Sequence, residues 1–212
     1  PREDDPQHTM ELFIQDLDAL IDQHARGRQV RVVGHSWGAM LALAWANQHG
    51  HKASHIAAAE PGVLRPEAWK PFTEKMQSMQ TFGNMLRAIP LFLQMPFVQS
   101  RDGHESMDFV MTGFMRMGTE GSPYLCSGES LPTQASIQRA GYASFDTMLT
   151  PYMDDPARWN FDFTGGLAKY SGKLLLLSSS CSFLGTDWQQ KYHLPYLPAQ
   201  TKHVHLQNAG HY

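Results

Sequence analysis

Hydrophobic residues near the beginning of the chain recur at intervals of three and four positions. They follow Thr9, a residue type that commonly caps helices, and comprise Met10, Phe13, Ile14, Leu17, Leu20 and Ile21. This spacing places their side chains on one side of an α-helix. We therefore predict an amphipathic helix, capped by Thr9, that packs one face on a sheet.

Four short apolar runs further along the chain predict β-strands. The run QVRVVG, at residues 29–34, is rich in β-branched residues and is predicted to be buried on both faces. A helical pattern over about Trp37–His49 follows it, as in a parallel strand–helix–strand crossover. The other three runs are HIAAAE at 55–60, KLLLLSS at 173–179 and KHVHLQ at 202–207.

The middle of the chain has a different pattern. Helical segments at about 65–89, 104–117 and 133–149 are interrupted there by proline and glycine. A further helical stretch, DWQQKYHL, lies between the last two predicted strands.

These elements predict the α/β class, with a parallel sheet of at least four strands, helices on both faces and a helical insertion. The predicted division is a core formed by residues 1–60 and 173–212, with the insertion at residues 61–172.

The turn after the first strand carries a Gly-x-Ser-x-Gly pattern, formed by Gly34, His35, Ser36, Trp37 and Gly38. Between a strand and a helix, such a turn raises the serine to the carboxyl edge of the sheet, at a helix N-terminus whose amides can stabilise an anion. The glycines allow close backbone approach, and we expect a larger side chain at 34 or 38 to collide with neighbouring elements. Ser36 is therefore predicted to be a nucleophile rather than a hydroxyl group in an ordinary turn.

A serine nucleophile needs a general base. His211 is one of eleven histidines, but it lies just past the last predicted strand, on a loop opened by Asn208 and Gly210. This position, after the last strand and later in the chain than Ser36, makes His211 the predicted base.

Three segments, VVGHSWGAMLALAWA, AAAEPGVL and LQNAGHY, with a helical insertion between the last two, resemble the α/β-hydrolase superfamily. Within it, GHSWG looks most like the proline iminopeptidase and esterase branch. The resemblance implies a serine hydrolase with the chain order serine, acid, histidine. It also implies that the main-chain amide of Trp37 contributes to the oxyanion hole and that the insertion forms a cap over the active site.

Members of this superfamily normally have further strands before the serine turn, including the loop that completes the oxyanion hole. The first predicted strand would otherwise have an unpaired edge. We therefore expect that roughly the first third of a longer enzyme is missing from this chain, and that the chain alone is a poor catalyst.

The acid of the triad has two candidates. The superfamily's usual position, shortly after KLLLLSS, holds serine and cysteine at residues 180–182 rather than a carboxylate. The nearest acid there is Asp187, which could instead cap the following helix. Glu60 follows the second strand, at the same sheet edge as Ser36, and its apolar setting in AAAEPG requires a partner. We favour Glu60, with Asp187 as the alternative.

The predicted activity is hydrolysis of carboxylic esters of small hydrophobic substrates through an acyl-enzyme. The insertion carries most of the twelve methionines, which suit an adaptable apolar pocket or the cap's own core. One alternative is a proline iminopeptidase-like aminopeptidase acting on short peptides, and another is a catalytically silent binding protein on the same fold. An aminopeptidase needs acids that bind a free amine, and the available ones are Glu105, Asp108, Asp154 and Asp155.

Composition narrows the possible partners. The net charge of −3 and the pI near 6.4 give no reason to expect nucleic acid or an anionic membrane as partner. No apolar run approaches the roughly 18 residues needed for a transmembrane segment. The two cysteines, Cys126 and Cys181, form no CxxC pair and could form at most one disulfide. The default expectation is two free thiols, as in a cytoplasmic protein.

Two pairs of histidines have the alternate spacing that can bind a metal. They are His49 with His51 and His203 with His205, and neither pair has a carboxylate or cysteine nearby in sequence to complete a ligand set. We therefore predict no metal and no cofactor. The oligomeric state cannot be predicted from the sequence.

Overall fold

The computed structural model describes residues 8–79, 82–98, 105–116, 124–126, 128, 141–150, 152 and 155–211. Within them a parallel sheet has the strand order β1-β2-β3-β4, with β1 Val30–His35, β2 Ala53–Ala59, β3 Lys173–Ser179 and β4 Lys202–Leu206. The helices are α1 Met10–Ala25, α2 Trp37–His49, α3 Pro66–Ser78, α4 Phe82–Gln94, α5 Glu105–Arg116, α6 Gly141–Met148 and α7 Gly185–Tyr192. The predicted α/β class, with a parallel sheet, flanking helices and helical segments between two strands, is confirmed.

The hydrogen-bond ladders of the sheet continue one residue past β1 and β2. The amide of Ser36 donates to the main-chain oxygen of Ala59 at 2.9 Å, and the amide of Glu60 donates to that of Leu177 at 3.0 Å. Because the strands are parallel, their carboxyl ends meet at one edge of the sheet. Ser36 and Glu60 therefore lie at the same edge, although a helix and a strand separate them in sequence.

The main core lies between α2 and the sheet. Leu43 and Trp45 of α2 pack with Ile56 of β2 and Leu176 of β3, and all four side chains are fully buried. Burial on several sides explains why α2 is apolar around most of its circumference. The segment between β2 and β3 contributes to the same core through Trp69, Trp159, Phe163 and Leu167.

Helix α1 begins where the sequence predicts. The hydroxyl group of Thr9 accepts a hydrogen bond from the amide of Leu12 at 3.2 Å, which is the predicted N-cap. In the described residues α1 packs chiefly against α2, and its Ile14 joins the same core as Ile56 of β2. The indole of Trp45 donates to Asp18 at 3.0 Å and joins the two helices.

The predicted helix over residues 65–89 is two helices, α3 and α4. Helix α4 also continues through Pro90 to Gln94, whereas the sequence predicts an end before this proline. Pro90 has no amide donor, so the helix loses one hydrogen bond there. Close packing against α5 supports α4 beyond this point: a Cβ atom added at Gly113 of α5 would lie only 2.5 Å from Leu91 of α4. The helix predicted at 104–117 agrees with α5. The helix predicted at 133–149 agrees with α6 from residue 141 onwards, and its residues 133–140 lie outside the described ones.

Strand β1 is not buried on both faces, in contrast to the prediction. In the described part of the chain it pairs with β2 alone, and Val33 is 78% exposed. A run of β-branched residues predicts a strand, but it does not reveal which neighbours cover each face.

Cys126 and Cys181 form a disulfide, so the expectation of two free thiols is wrong. The bond joins two positions 55 residues apart, one between α5 and α6 and the other directly after β3. Spacing alone could not reveal this pairing, because the fold brings the two loops together. Separately, no helix in the described ranges has the length and apolarity required to cross a bilayer.

Candidate active site

The turn between β1 and α2 holds Ser36 in a strained backbone conformation. Ser36 has φ 52° and ψ −118°, in the positive-φ region that residues other than glycine rarely occupy. Gly34 permits this turn, because a Cβ atom at that position would lie 2.3 Å from the main-chain oxygen of Gly38. At Gly38 the expected collision is wrong, since a Cβ atom there would meet no described atom within 4 Å.

The imidazole of His211 lies between Ser36 and Glu60. Its Nε2 atom is 3.1 Å from Ser36 Oγ, which is hydrogen-bonding distance, and its Nδ1 atom is 3.7 Å from Glu60 Oε2. Three side chains from three separate loops at the sheet edge thus form a serine–histidine–carboxylate series. Asp187, the alternative acid, lies in the first turn of α7 and is exposed.

The carboxylate of Glu60 is buried, with 4% of the residue exposed. Burial raises the pKa of Glu60, but the neighbouring side chains of His211, Ser182 and Ser179 outweigh this effect and lower it below its usual range. Glu60 is therefore negatively charged at neutral pH. Its backbone also has a positive φ of 50°, at the turn that leads from β2 into Pro61.

The loop that carries His211 is held through its main chain. The amide of His211 donates to the main-chain oxygen of Tyr124 at 2.6 Å, and its own main-chain oxygen accepts from the ring of His35. Ser179 donates to the main-chain oxygen of Gly210 at 2.8 Å. The partners of this loop therefore lie in the turn at residues 34–38, which we call the elbow, at the end of β3 and in the segment that precedes Cys126.

Trp37 is the first residue of α2, so its amide belongs to the first turn, where amides have no acceptor within the helix. Its side chain points into an aromatic cluster, with ring centroids 6.2 Å from Phe13 and 6.3 Å from Phe163. The side chain of Trp37 thus fixes the start of α2, while its amide lies next to Ser36.

Aromatic rings surround His211 on another side. The ring centroids of Phe183 and Tyr124 lie 5.4 Å and 5.8 Å from that of His211, and the two aromatic rings lie 4.9 Å apart. The site residues predicted from the sequence do not include Phe183, Tyr124 or Ser179. Nothing in the local pattern indicates them, because each reaches the site through tertiary contacts.

The histidine pairs considered as metal ligands make ordinary polar contacts. His49 lies 3.4 Å from Asp18, and His203 lies 2.8 Å from the hydroxyl group of Ser178, which His205 also contacts at 3.2 Å. Within the described ranges, no three histidine, cysteine or acidic residues are grouped as metal ligands would be.

The structure describes three of the four acids considered for binding an amine. Glu105 and Asp108 are buried, and Asp108 accepts a hydrogen bond from the amide of Tyr142 at 2.8 Å, at the beginning of α6. Asp155 is exposed, and Asp154 lies outside the described residues.

Solved structures with the same fold include several hydrolases. A crystal structure of VinJ has a TM-score of 0.57 at 15% identity, covering 100% of this chain and 68% of that one. A proline iminopeptidase from Mycobacterium smegmatis has a TM-score of 0.53 at 13% identity, with coverage of 96% and 65%. The enol-lactonase from Burkholderia xenovorans LB400 has a TM-score of 0.51 at 19% identity, with coverage of 100% and 68%.

The chain thus spans about two thirds of the length of these structures. No curated protein sequence is significantly similar to it. The sequence profile of the alpha/beta hydrolase family, however, matches residues 2–212. Together with the parallel sheet and the strained serine turn, this match confirms the resemblance, and the chain belongs to the alpha/beta hydrolase family.

Proposed function

We propose that the protein is a serine hydrolase that cleaves carboxylic esters, with Ser36 as nucleophile, His211 as general base and Glu60 as the acid. The observation that carries this proposal is the 3.1 Å separation of Ser36 Oγ from His211 Nε2. A hydroxyl group on a strained elbow, an imidazole within hydrogen-bonding distance and a buried carboxylate beyond the ring form the combination that activates serine.

The proton of Ser36 passes to His211 during the attack on the ester. Neutral His211 carries its proton on Nδ1, facing Glu60, and accepts the serine proton at Nε2. The bond from Ser36 Oγ to the carbonyl carbon forms, the bond to the leaving oxygen breaks, and His211 returns the proton to the departing alcohol. A water molecule deprotonated by His211 then attacks the acyl-enzyme, releasing the carboxylic acid and restoring Ser36.

Glu60 stabilises the imidazolium that forms in both steps. Its charge lies 3.7 Å from Nδ1, which is longer than a hydrogen bond but close enough for strong attraction in a buried site. Catalytic hydrogen bonds of this kind often shorten when substrate binds. The burial of Glu60 excludes water that would weaken this attraction.

The oxyanion of the tetrahedral intermediate is stabilised at the beginning of α2. The amide of Trp37 directly follows the nucleophile, and the helix N-terminus adds a partial positive charge. This geometry supports Trp37 as one donor of the oxyanion hole.

The surroundings of His211 support a hydrophobic substrate. Phe183 and Tyr124 are partly exposed and place their rings beside the imidazole. Apolar rings at this position favour an acyl or alcohol group without charge. The helices between β2 and β3, at residues 61–172, are proposed to form the cap that covers this substrate.

The first test is labelling of the full-length protein with a fluorophosphonate, which forms a covalent bond with an activated serine. We expect modification of Ser36 in the wild type and none in Ser36→Ala. Hydrolysis of p-nitrophenyl acetate, butyrate and octanoate then measures esterase activity. A preference for proline p-nitroanilide over every ester would favour the aminopeptidase, and absence of labelling would favour a silent binding protein.

The role of Glu60 is tested against Asp187, which serves as the matched control. We expect Glu60→Gln to lower the rate of labelling by roughly 10²–10⁴-fold, because a neutral amide cannot stabilise the imidazolium. Asp187→Asn is expected to remain close to the wild type. The reverse result would assign the role of the acid to Asp187, in the first turn of α7.

A further inference from the structure

We infer that Ser179 is a positioning residue for this reaction, because its one hydroxyl group links the carboxylate of Glu60 to the loop that carries His211. This inference rests on the proposed roles of Ser36, His211 and Glu60. It adds a residue that acts through the acid and through the loop of the base.

Ser179 is the last residue of β3 and is 2% exposed. Its Oγ atom lies 2.9 Å from Glu60 Oε1 and 2.8 Å from the main-chain oxygen of Gly210. Both partners can only accept, since Glu60 is ionised, so the single hydroxyl proton is shared between them. Ser179 therefore contacts the acid and the residue next to the base at the same time.

This shared bond constrains the orientation of the Glu60 carboxylate. With Oε1 held by Ser179, Oε2 is the oxygen that faces His211 Nδ1, at 3.7 Å. A glutamate side chain has three rotatable bonds, and without this donor its carboxylate could turn away from the imidazole. The loss of the donor would also leave a buried charge with fewer hydrogen bonds, which is costly.

The same bond constrains the position of the base. Gly210 directly precedes His211, and its oxygen has a buried donor on the neighbouring strand. Movement of this loop changes the distances from His211 to Ser36 and to Glu60 together. Rates of this type of reaction are sensitive to displacements of about 1 Å.

Ser178 provides a matched control. It precedes Ser179 on β3 and is also fully buried, but its hydroxyl group bonds to His203 at 2.8 Å and Thr186 at 3.1 Å. Replacement of either serine by alanine removes a buried hydroxyl group from the same strand. Only the replacement of Ser179 removes a contact with Glu60.

The test is a double-mutant cycle on the rate constant of fluorophosphonate labelling. We expect Ser179→Ala to slow labelling about 5–30-fold in the wild type and by a clearly smaller factor in the Glu60→Gln background, where only the bond to Gly210 is lost. Ser178→Ala is expected to change the rate less than about twofold. Ser179→Thr, which keeps the hydroxyl group, is expected to recover most of the rate.

Circular dichroism and urea unfolding verify that each variant is folded. If Ser179→Ala does not fold, the cycle is carried out with Ser179→Gly, which also removes the hydroxyl group. Equal slowing in both backgrounds, or equal slowing by Ser178→Ala, would show a structural role only and overturn the inference while the proposed function stands. Failure of the wild type to be labelled at Ser36 would overturn the proposed function and this inference with it.

Discussion

The ring of His35 donates a hydrogen bond to the main-chain oxygen of His211. Because a carbonyl oxygen only accepts, the proton of the His35 ring is on Nε2. Burial, and then the proximity of His211, lowers the pKa of His35, so its ring is neutral at physiological pH. The residue directly before the proposed nucleophile thus holds the loop of the proposed base.

Replacement of His35 tests this link. We expect His35→Leu to lower the rate of fluorophosphonate labelling about 5–30-fold, because one hydrogen bond to the loop of His211 is lost. His35→Gln can place an amide nitrogen near the position of Nε2 and is expected to retain most of the rate. His24→Ala, at an exposed position in α1, is the control. A rate for His35→Gln as low as that of His35→Leu would contradict a role for the hydrogen bond.

Local patterns in the sequence were sufficient to predict the main elements of the fold. The alternation of apolar runs with helical spacing predicts β1 to β4 and α2 close to their observed bounds. The strand–turn–helix context also predicts the elbow around Ser36. These features depend on residues near one another in sequence, where backbone preferences and burial act directly.

Contacts between distant residues could not be predicted in the same way. The disulfide, the bond from Ser179 to Glu60 and that from His211 to Tyr124 each join segments that are distant in sequence. The exposure of Val33 likewise depends on neighbours that the local pattern does not specify. The position of Glu60 could be predicted only in part. Its place after a strand indicates the correct edge of the sheet, but it does not indicate the distance from His211.

The two glycines of the elbow are expected to differ in their tolerance of a methyl group. In Gly34→Ala the new Cβ atom would lie 2.3 Å from the main-chain oxygen of Gly38, so main-chain atoms must move. We expect a loss of roughly 3 kcal/mol or more in the free energy of unfolding. Gly38→Ala meets no described atom within 4 Å and lies inside α2, where alanine is favoured by about 1 kcal/mol.

Urea unfolding of the two variants measures this difference, and far-UV circular dichroism verifies their helix content. A similar loss of stability in both variants would contradict the steric argument and would indicate that Gly38 is required for another reason.

Reduction of the bond between Cys126 and Cys181 is expected to affect both stability and the active site. A disulfide that closes a loop of 55 residues stabilises a fold by roughly 2–4 kcal/mol. The segment before Cys126 also carries the main-chain oxygen of Tyr124, which accepts from the amide of His211 at 2.6 Å. We therefore expect Cys126→Ser to lower the melting temperature and to slow fluorophosphonate labelling.

The control is a reducing agent added to both proteins. Dithiothreitol should lower the melting temperature of the wild type towards that of Cys126→Ser and leave the variant unchanged. An identical melting temperature for the wild type with and without the reducing agent would contradict a stabilising disulfide.

His193 is expected to make the fold sensitive to mild acid. The residue is fully buried after α7, and its Nδ1 atom donates to the side-chain oxygen of Gln189. Burial lowers the pKa of His193 from 6.5 to about 3. Between these two values the unfolded chain binds a proton that the folded protein does not, so stability decreases as the pH falls from 6.5.

The effect of His193 can be separated from that of Glu60 by the pH range. The lowered pKa of Glu60 means that its contribution to stability is lost only at pH values below its ordinary 4.5. From pH 6.5 to about 5, one proton of difference lowers the free energy of unfolding by about 2 kcal/mol. His193→Asn keeps a donor for Gln189 but does not titrate, so its stability should fall correspondingly less over this range. The exposed His24→Asn is expected to follow the wild type, and an equally steep fall in His193→Asn would show that the acid sensitivity arises from other groups.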